Sequence, residues 1–572
     1  MIFSLLQNLL NSVPHNMEII FEIGIIIILA TALGFLVKIF KQPLIPAYII
    51  TGILIGPIVF GIVKNQELIA SLSEIGVAFL IFTAGLEIKF SKLKEVGKTI
   101  LIAGIVQIIA LFFIGFFVSV FMGISKYASV YAGFVVAFSS TMIVVKLLSD
   151  KREINSLHGR IIIGILLLQD IIAIVALAIL SSDLSLVNIL IMLAKAFLFA
   201  VAAFFMIKLM NPVFKLSAKN HEMLLLVSIS FLFLFILGSF FAGLSLIICA
   251  FFAGVVLANS DYKTEIQGKI SSLREFFSVM FFVALGMQLR LISKQFLLLF
   301  FILFILVMVI KPIITMFSVR VLGYKKRTSF LTGNALAQTS EFSLIIVTLG
   351  FGLGYVSDGL FSTLVLLTIA TMSLTTYMIG YEKKISKFID WPLNILNKIH
   401  TKKEELEYFG YDGKEVIIFG CHRMGSLFLK EFENDKKEVF VVDYNPEIIQ
   451  SLIKKKIPCI YGDYATEEIF EKLDIRKAEF VISTIPDFEE NLLLIKKIRR
   501  RGSKAVIFVV GDRISEAMDL YKAGADYVIM PQVLGGQKAF EVMKKIKSNK
   551  SEIKEMKKAH IKYLDSIHHI LY

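Results

Sequence analysis

The sequence predicts a polytopic α-helical membrane domain followed by a Rossmann-like α/β domain. Of the 572 residues, 56% are hydrophobic and only 19% are charged, which is outside the range of soluble globular proteins. Charged residues are sparse up to about Tyr381 and reach the density of a soluble domain from Glu382 onward. We therefore predict a transmembrane domain (1–381), a linker (382–411), a Rossmann-like domain (412–535) and a Lys-rich helical tail (536–572).

Apolar runs of about 20 residues, long enough to cross a bilayer as helices, recur about thirteen times in the membrane domain. They cover roughly 18–40, 43–63, 69–89, 99–122, 128–148, 160–181, 185–209, 222–237, 239–258, 273–290, 295–320, 329–353 and 358–380. Lys and Arg concentrate in alternate loops, and the opposite loops hold only Lys64, Lys126, Arg290 and Lys294. The positive-inside rule then predicts a multi-pass protein of the cell membrane whose C-terminal domain is cytoplasmic. Much of the net charge of +14 belongs to these loops, and nothing about it calls for nucleic acid.

Two predicted spans have polar centres. The fifth, VVAFSSTMIVVKLL (135–148), contains Ser139, Ser140 and Thr141, and the twelfth, NALAQTSEFSLII (334–346), contains Glu341. Helices broken at corresponding positions indicate a transporter site, because unwound backbone is tolerated at membrane depth only where it lines a cavity or binds an ion. The alternative, that the hydroxyls bond to the preceding helical turn, stays open for either segment alone.

Each polar span lies next to a span with a charge near its middle. Gln169 and Asp170 occur in GILLLQDIIAI (164–174), and Lys311 occurs in VMVIKPIITM. A charge at the bilayer centre costs at least about 2.5 to 3.5 kcal/mol, so each is a functional hypothesis. We expect Lys311 to pair with Asp170, with snorkelling of the lysine as the alternative. A buried Asp170 can hold either a proton or a dehydrated monovalent cation, Gln169 adds a neutral carbonyl ligand, and Glu341 can screen charge or orient the broken helix.

Several motifs carry a resemblance to a known family. They are PLIPAYIITGILIGP (43–57), LSEIGVAFLIFTAGLEI (72–88), SSTMIVVKLL, LLLQDIIAI, FFAGVVLANSDY (251–262), FFVALGMQL (281–289) and AQTSEFSLI. The chain resembles the monovalent cation/proton antiporters, most closely the Kef-type potassium/proton antiporters that carry a nucleotide-sensing domain. The resemblance implies a homodimer in membrane lipid, with inverted repeats and a core of crossed broken helices that moves like an elevator.

The resemblance also implies roles for three residues. Asp170 matches the ion-binding carboxylate, Gln169 its neighbour, and Lys311 the basic partner. Many relatives have Asn-Asp or Asp-Asp where this chain has Gln-Asp, which favours K⁺ over Na⁺ and leaves a Na⁺/H⁺ antiporter as the alternative. A rival interpretation is a nucleotide-gated potassium channel, because TLGFG (348–352) is similar to a filter whose carbonyls replace the ion's hydration shell.

The soluble domain has the pattern of a dinucleotide fold. A strand in KEVIIFG (414–420) leads into GCHRMGSLFLKEF, a glycine turn that opens a helix, and the strand EVFVVD (438–443) ends in an acid. Asp443 follows Gly420 by 23 residues, close to the spacing between a phosphate-binding turn and a ribose-binding acid. His422 replaces the middle glycine, and a fold that no longer binds nucleotide stays an alternative. Further strands are predicted at 458–463, 478–484 and 505–510.

This domain resembles the nucleotide-binding lobe of the domains that regulate potassium conductance. The resemblance implies that Gly420, His422, Arg423 and Gly425 surround phosphate, that Asp443 binds ribose, and that Asp463 lies at the adenine-ribose edge. The expected ligand is a regulatory adenine nucleotide, namely AMP, NAD(H) or ATP. No catalytic base accompanies the motif, so we do not expect an enzyme. An ancillary cytosolic regulator and a regulatory thiol metabolite stay open.

The three cysteines argue against two other kinds of site. Cys249, Cys421 and Cys459 are odd in number and have no CxxC spacing, so neither a disulfide framework nor a zinc site is indicated. We expect ordinary buried residues. The metal that we predict is the transported monovalent cation at Asp170.

Overall fold

The structure is a computed structural model, and it describes most of the chain. The described residues are 18–40, 42–63, 66–87, 98–151, 153–154, 156–181, 186–217, 220–260, 262–324, 326–382, 385, 407–408, 415–421, 423–434, 438–443, 445–462, 470, 473, 475–548, 555, 557–558 and 560–562. The chain divides near residue 401 into two compact units.

The first unit is entirely helical in its described parts. Its helices are α1 (Glu18–Ile39), α2 (Leu44–Ile55), α3 (Gln66–Glu87), α4 (Lys98–Phe121), α5 (Lys126–Ala137), α6 (Thr141–Asp150), α7 (Leu157–Leu180), α8 (Leu186–Ser217), α9 (His221–Ala242), α10 (Leu246–Ala258), α11 (Lys263–Met287), α12 (Lys294–Ile305), α13 (Lys311–Val321), α14 (Lys326–Ala335), α15 (Glu341–Gly352) and α16 (Asp358–Gly380). A π-helical turn, Leu306–Ile310, joins α12 to α13.

Membrane character is confirmed for this unit, but the number of spans is not fixed. Eight helical segments of the described chain are long and apolar enough to cross a membrane, and four further apolar helices are shorter. The count of thirteen spans and the inverted repeats stay predictions. Several predicted boundaries were wrong. For example, α2 ends at Ile55, before Gly56 and Pro57, and α9 continues to Ala242, where Gly243 adopts a left-handed conformation. Likewise, α11 begins at Lys263 and α8 continues to Ser217.

Four helices of the first unit cross at paired glycines. Gly52 of α2 meets Gly286 of α11, and Gly85 of α3 meets Gly254 of α10. A Cβ at Gly52 would lie 2.0 Å from the Val283 carbonyl oxygen, and one at Gly254 would lie 2.0 Å from the Phe82 carbonyl oxygen. Only glycine allows this backbone approach, so the register of these helices is fixed by sequence motifs 43–57, 72–88, 251–262 and 281–289.

The two spans with polar centres are both broken, as the sequence predicts. Helix α5 ends at Ala137 and α6 begins at Thr141, while α14 ends at Ala335 and α15 begins at Glu341. Ser140 and Ser340 cap the second halves by accepting hydrogen bonds from backbone N–H groups of the first turn. The interruptions therefore consist of two short extended segments inside the helical unit.

The second unit is a Rossmann-like fold, as predicted. Its strands are β1 (Glu407–Tyr408), β2 (Val416–Phe419), β3 (Val439–Asp443), β4 (Cys459–Tyr461), β5 (Phe480–Ser483), β6 (Val506–Val510) and β7 (Tyr527–Ile529), in the sheet order β1-β4-β3-β2-β5-β6-β7. Strands β2 to β7 are parallel, and β1 pairs antiparallel with β4 at the edge. Without β1, this is the doubly wound order of dinucleotide folds.

Helices of the second unit alternate with these strands. They are α17 (Arg423–Asn434), α18 (Pro446–Lys454), α19 (Phe488–Arg500), α20 (Ile514–Ala523) and α21 (Pro531–Ser548). Sequence reasoning missed β1, which lies inside the predicted linker, and β7, which is only three residues long. The predicted boundary between domain and tail, after residue 535, falls inside α21.

Candidate functional site

The extended segments of the two broken helices meet in the helical unit and bring together most of the predicted transport residues. The Ser139 hydroxyl donates to the Leu336 carbonyl at 3.1 Å, and the Ser343 hydroxyl donates to the Val135 carbonyl at 3.2 Å. Because each bond joins one broken helix to the other, the two breaks form one crossing. Hydroxyls of this crossing are thus used in tertiary contacts, and the alternative that they bond to the preceding turn is wrong for Ser139.

Asp170 lies on α7 beside the first break. The Thr141 hydroxyl, at the first residue of α6, lies 3.0 Å from Asp170 Oδ1 and 2.9 Å from Oδ2, and it donates to the carboxylate. The side chain is only partly buried. The structure therefore places a carboxylate at the amino end of a half-helix.

Glu341 provides a second carboxylate at the crossing. It is the first residue of α15, is 7% exposed, and accepts a hydrogen bond of 2.7 Å from the Ser140 hydroxyl. An acid in the first helical turn is favoured by the helix dipole. Ser140 therefore links the cap of α6 to the first residue of α15, and the two half-helices direct their amino ends toward carboxylates.

Gln169 is oriented by the first break. Its side-chain oxygen accepts a hydrogen bond of 2.9 Å from the Ser139 backbone N–H, while its buried Nε2 has no hydrogen-bond partner among the described residues. A buried amide group without a partner is costly. The amide oxygen predicted as a cation ligand is thus already in use, and the unsatisfied group is the donor.

Lys311 does not pair with Asp170, so that prediction was wrong. Its ammonium is fully buried and donates to three backbone carbonyls: Val136 at 2.9 Å, Phe138 at 2.7 Å and Gln338 at 2.6 Å. These carbonyls lie at the carboxyl end of α5 and in the second break, where helix ends leave oxygens without internal donors. A lysine has three N–H donors, and the crossing uses all of them. Lys311 therefore fastens the two breaks together.

Sequence reasoning missed Gln338 as an individual residue of the crossing. Its carbonyl accepts from Lys311, its Nε2 lies 3.4 Å from the Ser140 carbonyl oxygen, and its buried Oε1 has no partner among the described residues. Its position at the polar centre of the twelfth predicted span could have identified it from the sequence. The described residues contain no cluster of three or more His, Cys, Asp or Glu suited to a metal ion.

The segment that is similar to a channel filter is helical. Thr348 to Gly352 belong to α15, and the carbonyls of Leu349, Gly350 and Phe351 accept hydrogen bonds from the residues that follow the helix. Carbonyls used in this way cannot replace an ion's hydration shell. This geometry argues against the channel interpretation.

The candidate nucleotide site in the second unit is built around a glycine turn. Gly420 has φ of +84°, and a Cβ at Gly425 would lie 1.9 Å from the Gly420 carbonyl oxygen, so both positions require glycine. Asp443 ends β3, the strand next to β2, and is 5% exposed. Its Oδ2 accepts from the Cys421 N–H at 2.6 Å, and its Oδ1 accepts from the Asn445 N–H at 2.7 Å. The acid is therefore tied to the glycine turn.

Of the other residues that we predict to contact nucleotide, only one belongs to the described part of the chain. Arg423 is the first residue of α17 after the turn, whereas His422 and Asp463 lie outside the described residues. The three cysteines are buried, as expected. Burial raises the pKa of the Cys459 thiol to about 12, which makes it unreactive at neutral pH.

Comparison with known proteins gives two family matches. The model described as sodium/hydrogen exchanger, transmembrane, matches residues 11–380, and the TrkA-N domain model matches residues 416–531. K(+) efflux antiporter 5 of Arabidopsis thaliana is 29% identical over 377 residues, which cover 63% of this chain and 66% of the plant protein. The chain thus spans slightly less than two thirds of that relative's length. Putative cation/proton antiporter YbaL of Escherichia coli is 24% identical over 535 residues, covering 88% of this chain and 93% of the relative.

Among solved structures, the sodium proton antiporter MjNhaP1 from Methanocaldococcus jannaschii is similar to the first unit. The TM-score is 0.51 at 16% identity, covering 67% of this chain and 99% of that protein. At this identity the likeness shows the fold alone. The first family match covers more than half of the chain and includes both broken helices. The chain therefore belongs to the sodium/hydrogen exchanger family, with a TrkA-N domain joined to its transmembrane region.

Proposed function

We propose that the protein is a secondary active antiporter that exchanges a monovalent cation for protons. The observation that carries this proposal is the Asp170 carboxylate, held by Thr141 at the crossing of two broken helices. A carboxylate can bind either a proton or a cation, but not both, so each displaces the other. If the core changes its accessibility only when the carboxylate is neutralised, cation moves in one direction and protons move in the other.

We propose K⁺ as the physiological cation and K⁺ efflux in exchange for H⁺ as the direction. The Gln169-Asp170 pair and the name of the plant relative, a K⁺ efflux antiporter, support this choice. Na⁺ is the alternative, because the family model that matches residues 11–380 is described as a sodium/hydrogen exchanger. Elevator-type movement of the crossing against the glycine-packed helices would provide alternating access. A homodimer in the cell membrane with a cytoplasmic TrkA-N domain completes the proposal.

An exchange assay tests this function. Purified protein is reconstituted in liposomes with an internal pH dye and challenged with pulses of K⁺, Na⁺ and Li⁺. We expect a cation pulse to drive proton movement in the opposite direction, with K⁺ the most effective ion. A cation current that does not depend on a proton gradient would favour a channel, and equal silence toward all three ions would reject the proposal.

We further propose that an adenine nucleotide bound to the TrkA-N domain regulates exchange. Gly420 and Gly425 let the glycine turn pack tightly against the start of α17. The helix dipole attracts anions such as phosphate to this amino end. Asp443 lies beside the turn and is the group that we propose for the ribose hydroxyls. A nucleotide can regulate only if it binds two arrangements of the protein with different affinity, and a tenfold difference gives about 1.4 kcal/mol of bias.

Calorimetry of the full-length protein with AMP, ATP and NADH tests this regulation. We expect at least one nucleotide to bind, and we expect Asp443→Ala to weaken binding and to shift exchange activity without changing which cation is carried. Asp526→Ala, an acid near β7 at the far side of the sheet, is the matched control. Normal binding and normal exchange by Asp443→Ala would exclude a sensor that acts through this residue. Adding cytosol or glutathione to the exchange assay tests for an ancillary cytosolic regulator or a regulatory thiol metabolite, because either would change the exchange rate.

A further inference from the structure

We propose that an ion pair outside the crossing, Glu87 with Arg274, controls how tightly the transport site binds its cation. Glu87 is the last residue of α3 and Arg274 lies on α11, so neither residue belongs to the broken helices. In this proposal Glu87 is a positioning residue that restrains the Arg274 guanidinium and keeps it from occupying the place of the cation. The inference rests on the proposed exchange at Asp170.

The pair is held in a defined place. The Arg274 Nη1 donates to the Glu87 Oε1 at 2.9 Å, and the side chains are 18% and 43% exposed, respectively. Two residues before Glu87, Gly85 packs against α10 so closely that a Cβ would lie 2.5 Å from the Phe251 carbonyl oxygen. The end of α3 is therefore closely packed, while the Glu87 side chain lies at the surface, where an ion pair contributes little to folding. The pair has a fixed position without being needed for stability.

The charges of the pair act on the transport carboxylates. Glu87 lies close enough to both Asp170 and Glu341 to interact with them electrostatically, and Arg274 does so with Glu341. Lys311 is not available as a counter-charge, because all three of its donors are bonded to backbone carbonyls. Arg274 is therefore the basic side chain of the described chain whose charge bears on Glu341.

Arg274 has unused capacity to bind a second carboxylate. Its buried Nε has no hydrogen-bond partner among the described residues, and only Nη1 contacts Glu87. A guanidinium has five N–H donors in a planar fork and can bridge carboxylates. A guanidinium released from Glu87 would neutralise the carboxylates at the crossing and compete with the cation. The Glu87 carboxylate prevents this by holding Arg274 in place.

A double-mutant cycle of exchange kinetics tests the inference. At fixed pH in proteoliposomes, we expect Glu87→Gln to raise the KM for K⁺ about 5-fold, because the released Arg274 guanidinium then competes with the cation for the carboxylates. The maximal rate should stay within about 2-fold, because the crossing is intact. Arg274→Gln should have a KM at or below that of the wild type, and the double variant should match Arg274→Gln. Glu87→Asp should restore most of the wild-type affinity.

The double variant decides between two roles of Glu87. If Glu87 attracts the cation directly, the double variant keeps the raised KM of Glu87→Gln, and the proposal is wrong. An unchanged KM in Glu87→Gln also overturns it. Glu265→Gln, an exposed carboxylate in the first turn of α11, is the control for loss of a charge. Absence of any cation-dependent proton flux in the wild type would instead reject the proposed function, and this inference with it.

Discussion

The crossing of the broken helices and the glycine turn of the TrkA-N domain bring their polar residues together in different ways. At the crossing, bonds join residues about 200 positions apart, such as Ser140 with Glu341. At the glycine turn, the residues that meet are close in sequence: Cys421 bonds to Asp443, 22 positions later. The first site depends on how distant helices pack, and the second depends on one strand, turn and strand.

This difference explains why Lys311 bonds to backbone carbonyls and not to Asp170. In lipid, the carbonyls left unbonded at a helix break must find donors inside the protein. The crossing meets this need with Lys311, so the lysine is not left for Asp170. In the TrkA-N domain, the backbone groups of the strands bond to one another within the sheet. The glycine turn bonds instead to the side chain of Asp443. A charge near a broken helix can therefore serve the backbone rather than the transported ion.

The largest effect is expected at the crossing, from Asp170→Asn. The amide keeps the size of the side chain and its contact with Thr141, but it cannot bind a proton in exchange for a cation. We expect exchange to fall to the level of empty liposomes while the melting temperature in detergent changes little. Asp150→Asn, at the carboxyl end of α6, is the matched control. Substantial exchange by Asp170→Asn would show that another group couples the ion flows.

Lys311→Met tests whether the lysine serves the backbone of the crossing, because it leaves three carbonyls without a donor. The cost of buried unsatisfied groups predicts a loss of about 3 kcal/mol, which corresponds to a melting temperature lower by roughly 4 °C for a unit of this size. Because Lys311 does not contact Asp170, we expect the fraction that stays folded to keep the wild-type pH profile of exchange. Lys126→Met, at the start of α5, should melt like the wild type. A shifted pH profile with normal stability would restore the ion-pair interpretation.

In the TrkA-N domain, Gly425→Ala should damage the site locally. The added Cβ would lie 1.9 Å from the Gly420 carbonyl oxygen, so the turn must open. We expect nucleotide binding measured by calorimetry to be lost, whereas unregulated exchange continues. Gly535→Ala, where an added Cβ contacts nothing within 4 Å, is the control. Loss of exchange in Gly425→Ala would mean that exchange itself requires an intact glycine turn, which contradicts this prediction.

A small effect is expected at Glu153, between α6 and α7. Burial favours a higher pKa, but the hydrogen bond and charge of His158, with the charges of Lys151 and Arg327, hold the pKa of Glu153 below its ordinary value of 4.5. A lowered pKa in the folded state stabilises the protein above about pH 4.5, and this stabilisation is lost as the pH falls through the folded pKa. Relative to the wild type, Glu153→Gln should therefore lose less than about 1 kcal/mol of unfolding free energy at pH 6, and this loss should shrink as the pH falls through the folded pKa of Glu153. Equal melting of both proteins at pH 6 would contradict this.

The sequence predicted the two folds, the two breaks and the residues Asp170, Ser140, Thr141 and Glu341, because polar residues in apolar spans have few uses. It also indicated that Gly420 and Asp443 lie close together, since their spacing reflects one local unit, and their contacts with nucleotide stay a prediction. It could not predict what Lys311 bonds to, because the carbonyls of Phe138 and Gln338 become acceptors only when two distant helices break and cross. The short strand β7 was missed because three residues carry too little pattern.

The central claim is that proton and cation compete for Asp170. Its most direct test is proton release from purified protein in weakly buffered detergent solution, followed with a pH dye while K⁺ is added. We expect the wild type to release protons in a saturable way, with half-saturation moving to lower K⁺ concentration as the pH rises. Asp170→Asn should release none. Saturable release that persists in Asp170→Asn, or K⁺ binding without any release in the wild type, would contradict the account.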